Sequence, residues 1–352
     1  MATSRRPKVL LVIMIVVVSL AGWRYYVNRD FWADLWSVKK ATAESNGKAG
    51  KEHKATPPKF TWPVTTSKFD LSRVALPPKE IMLGLARDAI PALTNPKMIA
   101  ADKCDYLQPD HRVIGLSIKG DARAFPLKIL QRHEIVNATI GKLPVAITYC
   151  PFCDSVITFD RRTEIGELEF RVSGLLYNSN LIMYSRAADG KESLWSQLKG
   201  AGVSEDARDK QLRTVPCELT TWESWRKAHP KTTVLAKDLG HKTNYEEKPY
   251  ELYFKSDDLM FPVKPRPKST NKLRLKDRVV GIWMADESIV YPVSVVQSNK
   301  TIAGEIKGRK FTLVYDSVSK SVQVNSDAKD LRWAYAYWFA WHSMFPNSTK
   351  VD

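Results

Sequence analysis

Short apolar runs bounded by Gly, Pro and Asp fill the chain from Val113 onward, the pattern of β-strands joined by turns rather than of long amphipathic helices. Upstream, from Asn28 to about Lys79, the sequence is polar and proline-bearing without a lasting period, which predicts a tether of low order, with folded structure beginning near Ile81. At the start, Arg5, Arg6 and Lys8 precede an apolar run from Val9 to Ala21 that Gly22 and Trp23 extend. Such a run is an export signal, read as an uncleaved anchor; Ser19 and Ala21 leave removal by a signal peptidase as the alternative. The basic residues predict that the first eight positions stay cytoplasmic and the rest of the chain lies outside. The expected division is therefore residues 1–8 in the cytoplasm, 9–23 in the membrane, 24–80 as tether and 81–352 as one extracytoplasmic domain.

The apolar pattern repeats. Shifted by 166 positions, the segment 107–158 aligns with 273–324 without a gap, and Arg112, Gly115, Pro126, Gln131 and Tyr149 meet Arg278, Gly281, Pro292, Gln297 and Tyr315. Each copy reads as a strand, a turn, a short strand ending at Pro126 or Pro292, one helical turn, and a hairpin turning at Gly141-Lys142 or Lys307-Gly308. The fold class expected is α+β and predominantly β, a duplicated strand-turn-strand-helix-hairpin unit with short helices, preceded by an N-terminal membrane segment. Between the copies, Leu168 to Tyr184 predicts two strands about a corner, and Thr220 with Glu223 has the spacing of a capping box.

Composition adds less. At 352 residues, 44% of them hydrophobic, the chain is long enough for a sizeable core. Its net charge of +16 attracts anionic partners, an envelope polymer or glycan among them. The charge is spread along the chain with no zinc-finger or RNP pattern, which argues against a nucleic-acid-binding role. Trp222, Trp225 and the terminal cluster from Trp333 to Phe345 offer a sugar-stacking groove, or else core.

The candidate chemistry lies where the copies differ. His133, Glu134, Asn137, Cys150 and Cys153 of the first copy stand opposite Asn299, Lys300, Ala303, Asp316 and Ser319 of the second. A turn near Lys142 pairs Glu134 with Cys150 and brings His133 near Pro151, so two thiols and an imidazole converge. Zinc or copper suits that set, with Cys150, Cys153 and His133 as ligands and Glu134 as a proton-transfer group. Asn137, Tyr149, Tyr177, Asn178 and Ser179 are the expected lining.

Two other readings stay open. One is a non-enzymatic envelope-binding module held by structural disulfides, with Cys104 and Cys217 as the preferred pair. The other is a thiol–disulfide oxidoreductase. ITYCPFC resembles the glutaredoxin segment, but DSVITFD after Cys153 is a strand pattern, and no helix N-terminus is there to lower a thiol pKa. No nucleophile elbow, phosphate loop, dinucleotide fingerprint or H-E-x-x-H motif occurs.

Six segments in order, RHEIVNATIG, PVAITYCPFCDSVITFDR, VSGLLYNSNLIMYSR, SLWSQLKG, TTWESWRKAHP and YWFAWHSMFP, resemble the domain of unknown function 3179 family of exported or envelope-associated prokaryotic proteins. The resemblance spans Ile81 to Pro346 and places the family's motifs on Tyr149–Cys153, His133–Asn137 and Leu176–Ser179. It implies no activity. The chain departs from the family at Asp154, where glycine is common, and at Ser185, where aspartate is common.

Overall fold

Residues 69–268 and 272–352 are described by the structure, a computed structural model. The expected cytoplasmic N-terminus, membrane segment and most of the tether lie outside the described residues. Among the described residues, no helix is long and apolar enough to cross a membrane.

The described chain is predominantly strand with short helices. In the first copy, β1 (Arg112–Ile118) and β2 (Asp121–Pro126) lead into α1 (Leu127–Leu130), followed by β3 (Ile135–Ile140), β4 (Leu143–Cys150) and β5 (Ser155–Asp160). An excursion follows, with β6 (Glu169–Tyr177), β7 (Asn180–Arg186) and β8 (Glu192–Ser196). The first copy then closes with β9 (Glu218–Thr221), α2 (Trp222–Ala228) and β10 (Thr233–Leu235), and a connecting strap carries α3 (Glu251–Lys255). The second copy holds β11 (Arg278–Met284), β12 (Glu287–Pro292), α4 (Val293–Asn299), β13 (Thr301–Ile306), β14 (Arg309–Asp316), β15 (Ser321–Asn325), β16 (Arg332–Tyr337), α5 (Trp338–Met344) and β17 (Thr349–Lys350).

Each element from β1 to β5 has a counterpart starting 166 positions later. The backbone repeats with it: residues with positive φ pair off as Lys119 with Ala285, Glu134 with Lys300, Gly141 with Lys307, Lys142 with Gly308 and Asp154 with Lys320. Side chains as different as Glu and Lys adopt the same left-handed conformation, so the chain path is common to both copies and the chemistry is not. The likeness also runs further than the ungapped alignment. Trp225 packs on Gly115 and Trp341 packs on Gly281, where a Cβ would stand 2.2 and 2.1 Å from the ring. The two indoles donate to Thr232 and Ser348, each at its helix's trailing edge. Past the hairpins the offset is 116 rather than 166, so the first copy holds 50 additional residues there, the excursion of β6–β8.

The copies interlock. The first copy's hairpin strands join the second copy's strands in one eight-stranded sheet, ordered Leu93–Thr94, β3, β4, β5, β16, β11, β12, β17. The seam is the pairing of Tyr335 with Val156. The five-stranded sheet β9, β1, β2, β10, Met98–Ala100 belongs to the first copy, and the second copy's three strands β13–β15 lie against it through β9. A single apolar core runs through both copies. The excursion forms its own sheet with Ile81–Leu83.

Three expectations change. The aromatic groove is core: Trp222, Trp225, Trp338, Phe339 and Trp341 are all buried, because the interlocked copies close over both helices. No disulfide joins Cys104 to Cys217; both are free thiols, Cys104 near Tyr106 and Arg226, Cys217 near Thr158 and Tyr335. The helix after β9 is capped by Thr221, which accepts from Ser224 N, rather than by Thr220, which stays in the strand.

Candidate functional site

β4 and β5 are joined by a four-residue turn, Pro151–Asp154, closed by Cys153 N donating to Cys150 O at 3.2 Å. Its last residue, Asp154, has φ of +44°. Glycine is free in that region and aspartate tolerates it, which accounts physically for the exchange of one for the other. Asp154 does more than complete the turn. Its carboxylate, almost wholly buried, meets Arg112 Nη1 at 2.9 Å, Arg278 Nε at 2.8 Å and Tyr149 Oη at 3.0 Å. Burial opposes its ionisation, yet the two guanidinium charges outweigh it and hold the carboxyl below its usual range. Arg112 and Arg278 occupy the same position in the two copies, so a first-copy acid is held by one arginine from each.

The turn presents Cys150 and Cys153 inward, both buried. The corner of the excursion, Asn178-Ser179, covers them. Ser179 O accepts from both, from Cys153 Sγ at 3.2 Å and from Cys150 Sγ at 3.7 Å. A buried network of Ser155, Asn180, Gln197 and Thr148 fixes that corner against the hairpin, with bonds of 2.8 to 3.2 Å. Burial pushes the Cys150 thiol up, but hydrogen bonds from the Cys153 thiol and from the amides of Cys153, Leu181 and Phe152 outweigh it, so the thiol lies below its ordinary range. Cys153 is pushed well up by burial, by its bond to Cys150 and by that neighbour's charge. The two sulfurs are thus shifted in opposite directions, Cys150 down and Cys153 up. No helix follows Cys153, as the strand pattern predicts; the amides of the turn and of β7 supply the donors that a helix N-terminus would.

The hairpin register is one residue away from that expected. Ile135 pairs with Thr148, and Glu134 O accepts from Tyr149 N at 2.8 Å. Glu134, at φ of +58°, ends the ladder and turns the chain. Its carboxyl is buried, and burial followed by the charge of Cys150 raises its pKa well above the usual value. It is an acid whose ionisation is opposed both by burial and by the neighbouring Cys150.

His133 does not join them. Its Nδ1 lies 2.7 Å from Pro91 O and its Nε2 lies 2.6 Å from Tyr245 Oη. A carbonyl only accepts, so Nδ1 carries the proton and Nε2 accepts from the tyrosine, leaving no lone pair for a metal. The set Cys150, Cys153 and His133 thus does not fit zinc or copper, and among the described residues no three His, Cys, Asp or Glu side chains stand together as a metal site.

The other expected lining residues are mostly braces. Asn137 imitates a strand edge, accepting from Phe170 N and donating to Phe170 O, both at 2.9 Å, and so clips the excursion to β3. Asn178 donates to Lys264 O and Ser343 O, and Ser179 Oγ to Phe261 O. Tyr177 is half-buried beside Glu80 and Lys264. Ser185 accepts from the Trp195 indole.

The family model described as Protein of unknown function (DUF3179) matches residues 87–334. The chain belongs to this family. No curated protein and no solved structure matches the chain. Within this DUF3179 domain, the strap between the copies supplies residues that carry no motif. Phe152 at the turn's tip meets Tyr250, Tyr253 and Phe261 edge-on, with ring centres 5.0 to 5.8 Å apart, and Tyr253 Oη donates to Phe152 O. Burial and then the charge of Glu134 raise the Tyr250 pKa, which puts that phenol beside the acid. The matching arginines at 112 and 278 were the sequence signal for the Asp154 clamp; the strap offered none.

Proposed function

We propose that Cys150 and Cys153 form a thiol–disulfide redox centre. The observation that supports it is an unequal pair of sulfurs in one four-residue turn, closed by Cys153 N donating to Cys150 O: hydrogen bonds from the Cys153 thiol and from backbone amides hold the Cys150 pKa below its ordinary value, while burial pushes Cys153 well up. Cys150 attacks one sulfur of a substrate disulfide, forming a mixed disulfide and expelling a thiolate, which takes a proton from the Glu134 carboxyl. Cys153 passes its proton to the resulting Glu134 carboxylate and attacks Cys150 sulfur, expelling the second thiolate. Two electrons leave the protein's dithiol, which becomes a Cys150–Cys153 disulfide, and the substrate disulfide becomes two thiol equivalents. Because both sulfurs are buried, the strap carrying Tyr250, Tyr253 and Phe261 must open for a large substrate. We further propose that the run 9–23 tethers the domain outside the cytoplasm, where disulfide exchange has a use.

The test equilibrates full-length protein in glutathione buffers of graded potential and maps the disulfides by mass spectrometry. A reversible Cys150–Cys153 bond is expected, with Cys153→Ser trapping a mixed disulfide on Cys150 and Cys150→Ser trapping none. Absence of that bond across the whole range defeats the reading.

A further inference from the structure

On the face of the turn away from the thiols, the two copies leave a cleft of about 350 Å³ between them. Arg112, Asp154 and Arg278 line it, Thr220, Thr221, Ser319 and Ser321 bring hydroxyls, and Lys320 is an exposed member of the lining. We propose that this cleft binds a small molecule through an oxyanion group, a phosphate or a carboxylate.

The arginines carry the inference. A guanidinium presents five N–H donors in a planar fork suited to oxyanions. Asp154 engages Nη1 of Arg112 and Nε of Arg278. Arg112 Nε and Nη2 and Arg278 Nη1 and Nη2 donate to no protein group among the described residues. The buried carboxylate therefore holds two guanidiniums in place without filling either fork, so little side-chain freedom remains to be lost when a ligand binds. The lining has three cations, Arg112, Arg278 and Lys320, against Asp154 and the exposed Asp110. Lys320 makes no ion pair among the described residues. The volume exceeds that of a bare phosphate ion and lies at the small end of ligand pockets. The site depends on the duplication, since each copy gives one arginine, and it is independent of whether the cysteines exchange disulfides.

Calorimetric titration of full-length protein at fixed ionic strength, with inorganic phosphate in one arm and citrate in the other, tests this. Saturable binding to one site is expected, and the stronger arm identifies the ligand class. Arg278→Gln should weaken it about tenfold, as the loss of a charged hydrogen bond does. Lys320→Gln, a surface change that leaves the Asp154 clamp intact, should weaken it severalfold without altering the melting temperature. The Cys150→Ser variant should bind as the parent does. Heats no greater than those of a chloride control, or undiminished affinity in Lys320→Gln, overturn the proposal.

Discussion

The hairpin turns Pro151–Asp154 and Ser317–Lys320 have the same backbone and opposite surroundings. Phe152 is buried under three aromatic rings, whereas its counterpart Val318 is 67% exposed. Cys150 and Cys153 face the excursion; Asp316 and Ser319 bond to each other at the surface. The difference comes from two additions made only around the first turn, the excursion after β5 and the strap after β10. Reactive groups were therefore placed by what was packed onto a shared hairpin, with the hairpin itself unchanged.

The largest expected contrast is at the left-handed residue that ends each turn. Asp154→Ala leaves two guanidiniums against a buried void and should cost about 3–5 kcal/mol in urea unfolding, as breaking a buried pair does. Lys320→Ala at the equivalent exposed site should stay within about 0.5 kcal/mol. Equal losses at both sites would show that the clamp contributes nothing beyond turn geometry.

Acid titration separates His133 from Asn299. Burial, opposed by its bond to Pro91, lowers the His133 pKa to about 4 from 6.5. A lowered folded pKa gives stability that is present above pH 6.5 and lost as pH falls toward 4, because only the unfolded chain takes up the proton in that window. Over those 2.5 units the loss is roughly 3 kcal/mol. His133→Gln should remove that part of the acid slope, while Asn299→Gln leaves it in place; stability-versus-pH curves read this directly.

Gly115→Ala and Gly281→Ala sharpen the comparison from the other side. Both put a methyl into an indole ring, and each should cost about 1–3 kcal/mol by chemical denaturation. Similar values establish that the two strand-on-helix contacts are equivalent; a large inequality means that the additions around the first copy stiffen it.

Glu134 and Lys300 differ in the alkaline direction. The folded pKa of Glu134 is raised above the unfolded 4.5, so the folded state retains a proton that the unfolded chain releases, and stability falls as pH rises above 4.5. The fall is about 1.4 kcal/mol per pH unit until the folded pKa is passed. Glu134→Gln should flatten that limb, and Lys300→Gln should not change it. An unchanged limb in Glu134→Gln would place the acid in water.

Much of this was legible in the chain. The ungapped offset located both hairpins, because two-residue turns at Gly141-Lys142 and Lys307-Gly308 fix the path by local sterics. The list of positions where the copies differ contained Glu134, Cys150 and Cys153. His133 stood in the same list and does something else, since a one-residue register difference together with the left-handed Glu134 sends its ring to Pro91 and Tyr245. Aromatic spacing could not distinguish groove from core; that depended on the copies closing over both helices.

The sequence by itself determined the strand-rich duplicated unit, its turns and the two thiols at a strand end, because these follow from hydrophobic period, backbone sterics and spacing within a few residues. Only the tertiary structure decided which sulfur's pKa falls and which rises, which acid's is raised and which arginines share Asp154. Those properties are set by burial and by groups more than a hundred positions away, such as Tyr250 beside Glu134 and Arg278 beside Asp154, and electrostatics depends on where such groups finally meet.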